Sequence, residues 1–303
     1  MSITASASKI CAPTVYWLFS RCEYTVGTNR IPQASEAAMT DTDIEVTRTE
    51  HVATIEIQRP PHNFFDRELI RQIADALEAL DEEPDCRAVV LASTGKSFCA
   101  GANLGGGTTE RSADEDFNAT GFRERVGLLY GQGARLFGTR KPIVGAIHGP
   151  AIGGGLGLAL VPDFRVAAPE ARFSANFAKL GIHPGFALSI TLPALVGERQ
   201  ANLMFMTARR LKGEHALKIG LVDELVPLDE VRVRAIQLAR EIAVNAPLAV
   251  QSVRATLRRD LVDRVVAATE HELKEQQWLR ETDDAAEGIR AVAERRDGNF
   301  YAR

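Results

Sequence analysis

The chain has 303 residues, 45% hydrophobic and 25% charged, with 36 Lys and Arg against 40 Asp and Glu for a net charge of -4. That balance predicts a soluble globular protein with one sizeable core or two small ones, and argues against a nucleic-acid-binding surface as its main function. The four cysteines, Cys11, Cys22, Cys86 and Cys99, form no CxxC pair and have no His at ligand spacing; this argues against a zinc site or disulfide scaffold and for a reducing compartment, here the cytoplasm.

Ser, Thr and Ala dominate residues 1–40, periodicity is absent, and the one apolar run, Val15 to Phe19, is far too short to span a membrane. This stretch reads as a poorly ordered extension. Lys9, Arg21 and Arg30 against Glu23 and Glu36 leave a transit peptide, and so organellar import, as the alternative. From Ile44 the alternation of Ile44 and Val46, then Val52, Ala53, Ile55 and Ile57, predicts a hairpin turning near Glu50 and His51. Asp66 is placed to cap a helix whose apolar positions Leu69, Ile70, Ile73, Ala74, Leu77 and Leu80 follow the 3.6-residue period. Ala88 to Ala92 is wholly apolar, as a strand buried on both faces requires.

Gly95 turns the chain into Phe98 to Leu104 (FCAGANL). Gly105 to Asp116, rich in Gly, Thr and charge, reads as a mobile surface loop and candidate lid before a helix from about Phe117 to Phe137. Between Ile143 and Asp163 a β-branched run meets Gly149, Gly153, Gly154 and Gly155, followed by a small-residue helical segment from Leu156 to Leu160. Glycines where a helix begins leave backbone N–H groups open to a ligand oxygen. The alternative is a tight crossing with no room for side chains. Phe164 to Ala168 supplies a further strand, and the strand, crossover, strand rhythm predicts a layered α/β core. Beyond Leu188 the pattern is helical around Leu192 to Val196, Gln200 to Met206 and Gly213 to Ile219. A short strand is expected at Leu221 to Val226 and helices from Leu228 onward, with Pro247 to Arg295 amphipathic in the manner of an intersubunit face.

Several ordered motifs join FCAGANL: HGPAIGGGLGLAL (His148 to Leu160), RPPHNFFD (Arg59 to Asp66), GIHPG (Gly181 to Gly185), TARRLKGEHALKIGLVDELVP (Thr207 to Pro227) and EGIRAVAERRDGNF (Glu287 to Phe300). With them the chain from about Ile44 to Phe300 resembles the enoyl-CoA hydratase/isomerase, or crotonase, family. The resemblance implies an α/β fold with a layered β-β-α spiral core over 41–227 and a helical trimerisation region over 228–303. It implies a homotrimer or a dimer of trimers, an acyl-CoA thioester as ligand, no nucleic acid or membrane partner, and no metal or redox cofactor. Coenzyme A enters only as part of the substrate. By position the thioester oxygen would sit between the N–H groups of Ala102 and Gly154, flanked by Ala100, Asn103 and Gly153. Such donors, with a helix dipole behind one of them, stabilise an enolate-like state by ~3–4 kcal/mol each.

The same comparison shows a departure. The two glutamates between which hydratases of the family hold water correspond here to Gly157 and Phe177, and neither can move a proton. Gly157 would make room for a bulky acyl group, or for a water or bicarbonate in place of a carboxylate, as in the naphthoyl-CoA synthase branch. Phe177 reads as an acyl-pocket wall or as ordinary core. His183 is a candidate acid or base, an imidazole titrating near ~6.5 when unperturbed, with a purely structural turn as the alternative. Glu124 and Arg125 could reach the pocket from a helix, or belong to a solvated face. His148 and Asp163 read as structural, Cys99 as a small buried thiol, and Arg59, His62 and Arg67 as neighbours of the CoA nucleotide. The expectation is a lyase or isomerase that stabilises a thioester enolate, against a non-catalytic acyl-CoA binding protein. Installing both glutamates at 157 and 177 is expected to raise crotonyl-CoA hydration.

Overall fold

A computed structural model describes residues 42–103 and 121–303; the N-terminal extension and the candidate lid lie outside the described residues. The alternation in the first segment gives the expected hairpin. Strands β1 (Ile44–Thr49) and β2 (Val52–Ile57) pair antiparallel with Thr49 opposite Val52, so Glu50 and His51 make the turn. The remaining strands are β3 (Ala88–Ser93), β4 (Ile143–Ile147), β5 (Ala151–Ile152), β6 (Phe164–Ala167), β7 (Arg172–Ser174), β8 (Leu211–Lys212) and β9 (Glu224–Leu225). Six of them form one sheet in the order β1-β2-β3-β4-β6-β9, parallel after the hairpin, and β5-β7-β8 form a second, smaller sheet.

The helices are α1 (Arg67–Asp81), α2 (Phe122–Phe137), α3 (Gly154–Ala159), α4 (Leu188–Val196), α5 (Glu198–Thr207), α6 (Gly213–Lys218), α7 (Val231–Ala243), α8 (Pro247–Leu257), α9 (Leu261–Leu279) and α10 (Asp283–Ala293). In α1 the Asp66 carboxylate accepts from the Leu69 N–H at 2.9 Å, and the six apolar positions expected to be buried are the six that are. Successive residues of a strand face opposite sides, which divides the core. Ala53, Ile55, Ile57, Val89, Leu91, Ile143 and Ile147 share a core with α1 and α2. Val52, Ala88, Val90, Ala92, Val144, Ala146 and Val166 pack with Val231, Ala235, Ala239 and Ala243 of α7. Both faces of β3 are covered, as its unbroken apolar run predicts.

Several boundaries differ from the sequence reading. The expected strand over Leu221 to Val226 shrinks to β9, because the Leu221 and Val222 N–H groups turn back onto the Ala216 carbonyl and only Glu224 and Leu225 pair with β6. Helix α3 begins at Gly154, two residues before the apolar pattern does, which puts the Gly154 N–H in its first turn. Helix α4 starts at Leu188 rather than near Leu192. Within the described residues, α2 opens at Phe122. Strands of two or three residues, which build the second sheet, are too short to show a period.

The buried charged groups around β4 and β6 are ion-paired or hydrogen-bonded. Asp163 accepts from the Ile143 N–H that opens β4 and pairs with Arg254 of α8 and with Arg258, which caps its end. The fully buried Arg165 is held by the Leu221, Pro162 and Asp163 carbonyls and by Asp223. These contacts agree with a structural role for Asp163. Among the described residues no helix is long and apolar enough to cross a membrane.

Candidate active site

Short backbone bonds bring the two glycine-rich stretches together. The Cys99 N–H donates to the Pro150 carbonyl, the Ile152 N–H donates to the Cys99 carbonyl, and Cys99 bridges Ala151 in parallel fashion. On the other side Ala100 N–H bonds the His62 carbonyl and Phe65 N–H the Gly101 carbonyl. The chain at 99–102 is thereby clamped between the RPPHNFFD stretch and β5. Glycine is required at the crossing: Gly101 has φ +83°, and a Cβ there would lie 2.8 Å from the Ile152 carbonyl oxygen and 3.3 Å from the Gly154 nitrogen. At Gly155 a Cβ would meet the Cys99 carbonyl oxygen at 2.0 Å. At Gly154 the obstacle is the Phe65 ring, 2.4 Å away. Among the described residues neither the Ala102 nor the Gly154 N–H donates to a backbone carbonyl.

Both residues line a cavity of about 330 Å³. Ala100, Gly101, Asn103, Ile152 and Gly153 continue the wall beside them, and Phe64, Phe65, Leu129, Phe177, Leu180, Ile182, Phe186, Ile289, Val292 and Ala293 make it apolar. The polar side chains on the wall are Asn103, Tyr130, Asn176, Arg210 and Gln276; among the described residues no Asp, Glu or His lines it. Arg210 is exposed, whereas Tyr130 and Gln276 are buried. The Tyr130 hydroxyl donates to Gln276 Oε1 at 2.9 Å, and Gln276 Nε2 donates to the His183 carbonyl at 2.9 Å. Burial, with the nearby Glu272 charge adding to it, raises the Tyr130 pKa, so the phenol stays neutral and acts as a donor.

Glu272 itself is fully buried behind this wall. It accepts from the Ala187 N–H at 2.8 Å, the Ser189 N–H at 2.9 Å and the Ser189 hydroxyl at 2.6 Å. Burial pushes its carboxyl up to about 7 against the pull of these donors. Its donors lie within and just after a pair of non-glycine residues in the left-handed region, Phe186 at φ +60° and Ala187 at φ +58°. Such conformations cost ~1–3 kcal/mol each, and the Glu272 bonds hold the segment that places Phe186 against Phe65, ring centroids 5.2 Å apart.

The enoyl-CoA hydratase/isomerase family model matches residues 47–303. The chain belongs to the enoyl-CoA hydratase/isomerase family. Among curated relatives it is 32% identical over 259 residues to a carnitinyl-CoA dehydratase of Salmonella enteritidis, covering 84% of this chain and 96% of that one. Among solved structures, an enoyl-CoA hydratase/isomerase of Pseudoalteromonas atlantica is 29% identical with TM-score 0.74, covering 86% of this chain and all of the other. Pseudomonas aeruginosa DspI is 30% identical with TM-score 0.64, covering 89% of this chain and all of its own. The fold is therefore the crotonase fold.

Within this crotonase chain the residues singled out in the sequence divide cleanly. Ala100, Ala102, Asn103, Gly153, Gly154 and Phe177 meet on the cavity wall. Gly157 does not open into it: a Cβ there would lie 2.9 Å from Phe186 Cδ1, so the space beside it is filled by a phenylalanine ring rather than left for acyl group, water or anion. His183 stands outside the wall, its Nδ1 2.8 Å from the Pro184 carbonyl and its ring edge-on to His271 at 5.7 Å. Glu124 is exposed and, like Arg125, is not part of the wall. His148 bonds the Gly95 carbonyl, and burial lowers its pKa. Cys99 is buried, which pushes its thiol up to about 12, and it has no role as a thiolate.

Arg67 and His62 are exposed, the latter 3.3 Å from the Ser97 hydroxyl. Arg59 pairs with Asp43 at 2.5 Å and with Asp66 at 2.8 Å. Burial opposes its charge, and the two carboxylates more than compensate, raising its pKa. An arginine engaged in this way ties β1 to the capping residue of α1. Arg59→Ala should accordingly lower stability by about 2 kcal/mol in chemical denaturation while leaving the affinity for free coenzyme A within a factor of about two.

The wall residues Tyr130, Phe186, Arg210 and Gln276 had no signal in the sequence. Tyr130 and Gln276 are 146 positions apart, and nothing in either local pattern marks a partner for the other.

Proposed function

We propose that this chain binds an acyl-CoA thioester with its carbonyl oxygen between the Ala102 and Gly154 N–H groups, and acts on it as a lyase or isomerase through an enolate-like state. The reading is supported by two residues, Ala102 and Gly154, that line one apolar cavity and whose N–H groups have no backbone acceptor among the described residues. The dipole of α3 adds to the donor at Gly154. Ala100, Asn103 and Gly153 align the thioester beside these donors, and Phe177 and Phe186 enclose the acyl chain. The acid/base pair of a hydratase is replaced by Gly157 and Phe177, so syn addition of water by two carboxylates is not the reaction. His183 is assigned no proton transfer in this reading, since its ring turns to His271. Carnitinyl-CoA dehydratase, the activity named for the relative, supports a thioester lyase as the class.

A panel of acyl-CoA and enoyl-CoA thioesters, scored for binding and for products by mass spectrometry, tests this. Conversion of at least one thioester is expected. A second reading, a non-catalytic acyl-CoA binding protein, is favoured by the absence of Asp, Glu and His from the wall among the described residues; tight binding with no product from any thioester would select it.

The filled space beside Gly157 changes the outcome expected of installing glutamates. Gly157→Glu with Phe177→Glu should give no gain in crotonyl-CoA hydration, because the new side chain at 157 meets the Phe186 ring, its Cβ at 3.0 Å and its carbonyl oxygen at 3.1 Å. Adding Phe186→Gly, compatible with the positive φ there, should bring measurable hydration, followed by loss of enoyl-thioester absorbance.

Assembly into a homotrimer or a pair of trimers is part of the same proposal. It is supported by the exposed apolar residues Val244, Leu248, Val253 and Leu257 on and beside α8, and sedimentation equilibrium tests it.

A further inference from the structure

Among the described residues, Arg210 is the only charged side chain on the cavity wall. It is exposed, and among those residues its guanidinium has neither hydrogen bond nor ion pair. The small sheet sets its position. Strand β7 runs parallel to β5 and antiparallel to β8, so the start of β8 lies at the same end of the sheet as the ends of β5 and β7. Arg210 immediately precedes β8, Gly153 immediately follows β5, and Asn176 comes two residues after β7. A Cβ at Gly153 would lie 3.1 Å from Asn176 Oδ1, which puts the Asn176 amide beside the loop that carries the Gly154 donor. The Asn176 side chain also has no hydrogen bond among the described residues. A guanidinium and a primary amide with unspent N–H groups on one wall suit a carboxylate.

The chemistry of the rest of the wall says what such a carboxylate would do. A thioester enolate forms when an electron pair is left on the α-carbon. Removing a proton leaves one, but it needs a base, and among the described residues no Asp, Glu or His lines the cavity. The phenol of Tyr130 already gives its proton to Gln276. Breaking the bond from the α-carbon to a carboxylate leaves the same electron pair with no base at all. The apolar wall favours this outcome, because an anion is poorly solvated there and carbon dioxide is neutral. The charge that remains moves onto the thioester oxygen, where the two N–H donors stabilise it.

We propose, resting on the acyl-CoA reading above, that the chain decarboxylates acyl-CoA thioesters bearing a carboxylate on the α-carbon, and that Arg210 and Asn176 orient that carboxylate beside the oxyanion hole. The bond between the α-carbon and the carboxylate breaks, its electron pair forms the enolate, and carbon dioxide leaves. Water then protonates the α-carbon, and the hydroxide produced combines with carbon dioxide, so that thioester and water become the shortened acyl-CoA and bicarbonate. Arg210, screened by solvent at the rim, orients the carboxylate more than it stabilises it.

The test incubates the full chain in deuterated water with malonyl-CoA and its 2-methyl and 2-ethyl homologues, each labelled with carbon-13 in the free carboxylate. At least one should release labelled bicarbonate at least about 10³-fold faster than in buffer alone, with one solvent deuteron on the α-carbon of the product. The matching acyl-CoA without a carboxylate should exchange none of its α-hydrogens. Arg210→Gln should cut kcat/KM for the carboxylated substrate by about 10- to 100-fold and leave the affinity for free coenzyme A unchanged. Binding of all three carboxylated thioesters without release of label, or α-hydrogen exchange in the plain acyl-CoA, would overturn the proposal and leave the acyl-CoA reading standing. An equal loss of affinity for free coenzyme A in Arg210→Gln would make Arg210 a phosphate ligand and overturn its assignment. Failure of every thioester to bind would bring down the acyl-CoA reading, and this inference with it.

Discussion

Gly154→Ala should cut kcat/KM for any acyl-CoA that the protein converts by about 10²- to 10³-fold, the loss typical of a displaced oxyanion donor. The methyl group would lie 2.4 Å from Phe65 Cζ and 2.8 Å from its Cε1, so ring or backbone must move. Phe65 has little freedom, being buried and packed against Phe186. The first turn of α3 is therefore displaced, and the Gly154 N–H leaves its line to the Ala102 N–H. Affinity for unconverted thioesters should fall as well, because the same donor binds the ground-state carbonyl. A control separates this from the general effect of a methyl group in a helix. At Gly131, exposed on α2, a Cβ would meet nothing within 4 Å, so Gly131→Ala should raise stability by ~0.5–1 kcal/mol and leave kcat/KM unchanged.

Glu272→Ala is expected to destabilise the fold by about 2–4 kcal/mol, since it strips the Ala187 N–H, Ser189 N–H and Ser189 hydroxyl of their acceptor inside the protein. The damage should reach the cavity through Phe186 and Ala187, whose left-handed backbone those bonds secure. Glu272 also makes stability depend on pH. Its folded-state pKa, about 7, lies above the unfolded value of 4.5, so the folded protein holds the proton more firmly. The stabilisation is fully present below about 4.5 and is lost as pH rises through about 7, a span corresponding to roughly 3 kcal/mol. In urea titrations across that window, wild-type stability should decline relative to Glu272→Gln, which cannot titrate there. Parallel curves for the two proteins would show that the carboxyl is not held protonated by its burial.

Much of this architecture was legible because it depends on local chemistry. Asp66 followed by six apolar residues at helical spacing defines α1 completely, and an alternating hairpin beside a continuous apolar strand defines the edge and the centre of the large sheet. FCAGANL and HGPAIGGGLGLAL could be read as partners because each pairs small residues with a preceding strand, and Cys99 does bridge Ala151. What stayed hidden depends on where distant segments meet. Gly157 looked like an opening, but the space belongs to Phe186, held in place by a backbone conformation that Phe seldom adopts and by a glutamate 86 residues on from it. His183 has suitable chemistry and lies near the motif, yet its ring packs on α9, and only its carbonyl serves the site, as acceptor for Gln276. Arg59, expected beside the CoA nucleotide, is engaged by two carboxylates that no local pattern marks as its partners.

Whether the Ala102 and Gly154 N–H groups hold a thioester carbonyl is measured directly by isotope-edited infrared spectroscopy of a bound acyl-CoA labelled with carbon-13 at the carbonyl. Two converging donors should lower the C=O stretching frequency below its value for the same thioester in water, and Gly154→Ala should reverse most of that shift. A bound thioester whose carbonyl frequency equals or exceeds the value in water would contradict the assignment of Ala102 and Gly154 as an oxyanion hole.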